Sequence, residues 1–236
     1  ALHGDVRVFY ERNNGREPLF IYLLALAFQM LGPTSYAIRL TAALVGALTV
    51  PATYWMVRAL FRFAPETNEQ PARWFAAWVA LFLTFSYWHI SLSRVGFRAI
   101  TLPLVMSIAF ALFWIVWRRL RAAGGIPWLP AVLGGLALGA TLYTYTAGRM
   151  SLALFATTVA AGWLLAQRFG MDRARLLKTA GVMLAAALVA ALPLLAFFAA
   201  NPAYFGTHAA EVSVLNPKYA GDNPITALLS SAARTF

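Results

Sequence analysis

The sequence has no cysteine, which excludes disulfides, thiolate metal sites and a cysteine nucleophile, and leaves the redox compartment open. It has little charge: 11% of its 236 residues are charged and only eight are acidic, where ordinary soluble domains carry about 25% charged residues. Its three histidines are not spaced at i and i+4, so no zinc-type ligand pair is present. There is no Gly-x-Ser-x-Gly elbow, no phosphate-cradling glycine-rich loop, no internal repeat and no low-complexity tract.

What replaces charge is apolar surface. Hydrophobic residues make up 61% of the chain, above the roughly 45–50% of soluble domains, so most of the sequence has a solvent other than water. A spanning helix needs about 20 apolar residues at roughly 1.5 Å each to cross a core of roughly 30 Å. Six stretches qualify: about 35–58, 74–92, 99–117, 128–147, 150–167 and 179–199. The expectation is an all-α, polytopic membrane helix bundle. Pro51 and Pro193 fall inside two of these stretches and are tolerated, because neighbouring helices can satisfy the freed carbonyls.

Ten basic residues fall in every second polar break: Arg58, Arg62 and Arg73; Arg118, Arg119 and Arg121; Arg168, Arg173, Arg175 and Lys178. The positive-inside rule puts these breaks in the cytoplasm. Residues 1–34 and 200–236, with the loops around 93–98 and 147–149, are then extracytoplasmic. The formal charge of +11 is explained by orientation and anionic headgroups rather than by nucleic acid. His3, His89 and His208 fall on the outer side, with Asp5, Glu11, Glu17, Glu211 and Asp222. The apolar segment 19–31 is thirteen residues long and is closed by Gly32-Pro33. It is too short to span, so it is expected to lie at the outer surface as a juxtamembrane helix. The organisation expected is an outer loop and helix over 1–34, a transmembrane bundle over 35–199, and an outer region from 200 to 236.

The outer breaks carry few cations, and these stand beside aromatic, histidine and carboxylate groups. Arg94 and Arg98 follow Tyr87-Trp88-His89, and Arg149 follows Tyr143-Thr144-Tyr145. The planar guanidinium binds phosphate oxygens bidentately and keeps its charge at membrane depth. Arg94, Arg98 and Arg149 are therefore candidates for an anionic headgroup; the competing account is snorkelling to ordinary lipid phosphates. Arg94 and Arg98 share a face if the preceding helix runs through both. Arg39, early in its helix, reads equally as an interfacial anchor. Tyr87, Trp88, Tyr143 and Tyr145 fit either an interfacial aromatic belt or a lipid and sugar groove. Gly134, Gly135 and Gly139 read as close-packing positions between helices. Glu17 is the leading acidic candidate; its alternative is a solvated carboxylate at a helix start.

The ordered set Asn14-Gly15-Arg16-Glu17-Pro18-Leu19-Phe20-Ile21-Tyr22-Leu23, Ala37-Ile38-Arg39-Leu40, Trp55-Met56-Val57-Arg58-Ala59-Leu60-Phe61, Tyr87-Trp88-His89 with Ser93-Arg94, and Tyr143-Thr144-Tyr145-Thr146-Ala147-Gly148-Arg149 resembles the bacterial relatives of the protein O-mannosyltransferases. These are GT-C superfamily glycosyltransferases of the bacterial inner membrane that use polyprenyl-phosphate sugars. A weaker likeness continues into Val214-Leu215-Asn216-Pro217.

The resemblance implies sugar transfer with inversion to an acceptor hydroxyl on a protein, lipid or glycan. It implies a donor phosphate at Arg94, Arg98 and Arg149, lipid or sugar contacts at Tyr87, His89, Tyr143 and Tyr145, and a supporting acidic role for Glu17. Its acidic pair, whose Asp is the expected base, would lie upstream of Ala1. The chain opens without an initiator Met or a leader and reads as an inactive fragment. No cofactor is required; some relatives use a divalent ion, which would draw on His89 and Glu17. A multi-pass transporter or lipid flippase for an anionic substrate is the alternative, and it would be expected to carry ionisable groups near the bilayer midplane.

Overall fold

A computed structural model describes residues 6–11, 16–62, 69–121, 125–205 and 226. His3, Asp5, Asn14-Gly15, His208, Glu211, Val214–Pro217 and Asp222 lie outside the described residues. Among the described residues eight α-helices run in order: α1 (Leu19–Leu31), α2 (Ser35–Phe61), α3 (Glu69–Phe85), α4 (Tyr87–Val95), α5 (Thr101–Arg121), α6 (Trp128–Ala140), α7 (Met150–Leu164) and α8 (Arg173–Ala200). Short 3-10 turns occupy Arg98–Ile100, Thr141–Tyr143 and Thr146–Arg149. The described residues contain no β-strand, only one isolated antiparallel bridge between Tyr10 and Arg16.

Three helical stretches, Ser35–Phe61, Arg98–Arg121 and Arg173–Ala200, are long and apolar enough to cross a bilayer. The pair α3 and α4 makes a fourth if it is counted as one span, but it is bent by 56°. The six continuous spans expected from hydropathy are not reached, and the reasons are local. Thr84 Oγ1 donates back to Ala80 O at 2.9 Å within α3, a bond that often bends helices, and the 74–92 stretch breaks at Ser86, whose backbone is extended at φ −65°, ψ 121°. The 128–147 stretch leaves α-helix after Ala140, and α7 is fifteen residues long, which at roughly 1.5 Å each falls short of the bilayer core.

The helix faces argue for lipid around the chain. In α3 the small residues Ala72, Ala76 and Ala80 are buried, while Trp74, Trp78, Phe82 and Phe85 are exposed. A soluble amphipathic helix shows the reverse arrangement. In a bilayer, small residues let helices approach and bulky apolar groups meet lipid.

The chain divides into two compact units, residues 1–8 with 17–192 and residues 9–16 with 193–236. In the first, α2 packs against α1, α3, α4 and α5, and α5 against α6. One apolar cluster joins Phe113, Trp117, Leu138, Phe155 and Met183; another joins Phe20, Ala42, Val45 and Ile100. At the basic end, Glu69 pairs with Arg62 and lies 3.8 Å from Arg58. Arg121 donates to Phe169 O and Arg173 to Trp163 O. In the second unit, the buried Phe9 ring packs tilted against Phe197 at 5.2 Å and edge-on to Phe198 at 5.1 Å. Tyr204 donates to Glu11 at 3.4 Å.

The glycines of α6 meet α8 closely. A Cβ at Gly139 would lie 2.8 Å from Ala190 Cβ and 3.0 Å from Ala187 Cα, and one at Gly135 would strike Met183 O. Gly139→Leu is expected to force the helices apart at a cost of about 1–3 kcal/mol, lowering the thermal midpoint followed by tryptophan fluorescence. Gly125→Ala, which meets nothing within 4 Å, should leave the midpoint unchanged.

Candidate functional site

The irregular backbone between α6 and α7 is held by buried hydroxyls. Thr141 Oγ1 lies 2.5 Å from Ser151 Oγ and donates to Leu138 O at 2.6 Å. Ser151 donates to Gly148 O and Thr144 to Thr141 O, both at 2.5 Å. These bonds satisfy backbone groups that a regular helix would have paired, the condition for non-helical chain inside an apolar bundle. A Cβ at Gly148 would collide with Thr141 O, so the tight loop needs glycine there. The loop so fixed presents Tyr145, Thr146 and Arg149.

Two other segments supply the remaining groups. Pro18 stands at the N-cap of α1, and Glu17 precedes it. Glu17 is 3% exposed; it is not a solvated helix-start carboxylate. Gly96 ends α4 in the left-handed region at φ 75°, which glycine adopts without strain. A side chain at Gly96 would also strike Ile38. The helix therefore stops at Val95, does not run through Arg94 and Arg98 together, and releases Arg98 into its own 3-10 turn.

These segments converge. Thr146 Oγ1 donates to Glu17 Oε1 at 2.9 Å, across 129 positions of sequence. Arg98 Nε lies 3.6 Å from Glu17 Oε2. The Arg98 guanidinium stands over the Tyr145 ring at 5.4 Å, and Phe97 packs edge-on to the same ring at 5.7 Å. Burial lowers the pKa of the Arg149 guanidinium, and the Glu17 charge opposes that shift; arginine nonetheless stays protonated. One buried carboxylate thus pairs with Arg98 and lies in electrostatic reach of Arg149, and its Oε2 makes no hydrogen bond among the described residues. Such an arrangement can receive a hydroxyl proton donor at Oε2 and a phosphate oxygen at a guanidinium.

The other residues singled out from sequence lie in different surroundings. His89 is buried, and its Nε2 lies 3.1 Å from Gly46 O; since a carbonyl only accepts, Nε2 carries the proton and ties α4 to α2. Tyr143 donates to Ala190 O at 2.8 Å, which anchors its ring to α8. Tyr87 is 76% exposed and meets Trp88. Arg94 lines a cleft with Arg39. Among the described residues no group of three histidine or acidic side chains could hold a metal ion. Thr146 joins the cluster although the sequence marks it with nothing beyond a hydroxyl in a Tyr-Thr-Tyr-Thr run.

A cleft of about 890 Å³ between α7 and α8 is lined by apolar residues, among them Phe155, Trp163, Leu177 and Leu184. It offers no group for chemistry. The chain matches no protein-family model, and no curated protein or solved structure is similar to it at a significant level.

Proposed function

We propose that the protein is a membrane glycosyltransferase that moves a sugar from a polyprenyl-phosphate donor to an acceptor hydroxyl on the extracytoplasmic face of a bacterial inner membrane. The observation that carries this reading is the convergence of Glu17, Arg98, Thr146 and Tyr145, with Arg149 in electrostatic reach, at helix ends.

In this reading Glu17 Oε2 orders the acceptor hydroxyl. The acceptor oxygen attacks the anomeric carbon, the bond from that carbon to the phosphate oxygen breaks, and its electron pair leaves on the phosphate. Arg98 and Arg149 stabilise that charge as it develops. The hydroxyl proton goes to the aspartate that the resemblance places upstream of Ala1. The step invokes no metal.

The bent pair α3 and α4 favours a second reading, a transporter or flippase, since broken helices are common in such proteins. Against it, Arg94 and Arg98 lie at or beyond a helix end and Arg149 just before α7, rather than in mid-helix. Full-length protein in vesicles loaded with labelled polyprenyl-phosphate sugar separates the two. Transfer moves the label to an acceptor and releases polyprenyl phosphate; transport moves the intact lipid to the other leaflet. Label that stays on the lipid, in its original leaflet, overturns both.

A further inference from the structure

Arg39 and Arg94 stand on two helices and face one cleft of about 550 Å³, lined also by Leu40, Ala43, Ser93 and Val95. That volume is in the range of small-ligand sites, roughly 300–1,000 Å³. No carboxylate lines the cleft, and neither guanidinium has a hydrogen bond, ion pair or ring contact among the described residues. This sets the pair apart from Arg98, which Glu17 partly neutralises.

The walls of the cleft are fixed relative to each other. A Cβ at Gly46 on α2 would lie 2.9 Å from Ser93 Cβ and 3.7 Å from His89 Nε2. His89 also bonds the Gly46 carbonyl, and Ser93 is committed to His89 O at 2.6 Å. On the other side, Gly96 closes on Ile38, the neighbour of Arg39. Two close approaches, at 38 with 96 and at 46 with 93, therefore bracket the two arginines. The backbone positions that carry the two exposed arginines are thus set in advance, which lowers the entropy cost of binding.

The charge of Arg39 does not serve its helix. It lies near the N-terminus of α2, whose first turn has no acidic residue, and that end of a helix is already positive. Arg94 stands in the last turn of α4, an end that favours a cation, so the charge without a helix to serve in this open cleft is that of Arg39. Arginine's planar fork matches a phosphate better than it matches a diffuse counter-ion atmosphere.

We propose that the Arg39–Arg94 cleft is a binding site for a phosphate group, held bidentately between α2 and α4 and distinct from the Glu17–Arg98 cluster. The site does not depend on sugar transfer, and it gives Arg39, which reads from sequence equally as an interfacial anchor, a role in the cleft it shares with Arg94.

The test uses full-length protein and three probes: inorganic phosphate by calorimetry, and phosphatidylglycerol and a polyprenyl monophosphate by native mass spectrometry. Wild type is expected to bind at least one probe saturably, and Arg39→Ala with Arg94→Ala to weaken that binding about tenfold or more. Each single replacement should account for most of the loss, because the fork-to-phosphate bonds are made jointly. Binding of the lipids alone identifies a headgroup; binding of inorganic phosphate as well identifies a soluble phosphate site. If the double alanine variant does not fold, Arg39→Lys with Arg94→Lys keeps both charges and removes the forks, and it should still bind several-fold more weakly. Saturable binding of none of the probes, or equal binding by wild type and the folded variants, overturns the proposal. No probe carries a sugar, so failure here is distinguishable from failure of the transferase reading.

Discussion

Replacing Glu17 by alanine is expected to destabilise the protein by about 3–5 kcal/mol, the cost of leaving a buried ion pair with one partner. Glu17 is 3% exposed and the Arg98 side chain 15%, so water screens the pair weakly. The loss has three parts. Thr146 Oγ1 loses its acceptor, Arg98 loses its counter-charge, and Arg149 loses the charge that opposes its desolvation. Glu17→Gln keeps the volume and an acceptor for Thr146 while removing the charge, so it isolates the electrostatic part. Thermal midpoints and denaturant titrations of the two variants measure both. A cost of only a few tenths of a kcal/mol for Glu17→Ala, the scale of an exposed helix-start carboxylate, would falsify the buried-cluster account. A double-mutant cycle of Glu17→Gln with Arg98→Gln should show coupling well beyond the roughly 0.3–0.5 kcal/mol scatter of independent sites.

The second large effect is on activity. Arg149→Ala in the full-length protein is expected to reduce sugar transfer by about 10²–10³, the usual loss when one preorganised donor to a developing oxyanion is removed. Stability should change less than for Glu17→Ala, because Arg149 is only half-buried and its removal leaves Glu17 with Arg98 and Thr146 as partners. A variant that transfers normally would take Arg149 out of the reaction. One that unfolds as readily as Glu17→Ala would make its role structural.

Much of the architecture was legible in the residues. The short apolar segment ending at Gly32-Pro33 is helix α1, and the helix expected over 35–58 is α2, extended to Phe61. The glycines of α6 do meet α8 closely. These features follow from composition and spacing along one segment, which are local properties of the chain. The interruptions were harder to see. Hydropathy averages over a window, so Thr141, Thr144 and Ser151 vanish into apolar stretches, although their hydroxyls redirect the backbone there. The backbone break at Ser86 is hidden by the same averaging.

By itself the sequence determined that the chain is helical, apolar and basic at alternate breaks, because hydrophobic run length and helix propensity act within a segment and need no partner. It also placed a few arginines, aromatics and one carboxylate at the opposite breaks. Only the tertiary structure decided which of these meet. It joined Glu17 to Arg98 and Thr146, set Arg94 beside Arg39, and gave His89 and Tyr143 to the backbone of neighbouring helices. The reason is physical: a buried charge or hydroxyl must find a partner, and that partner is chosen by how helices pack and where glycine lets them touch, which is not encoded in the spacing along any one of them.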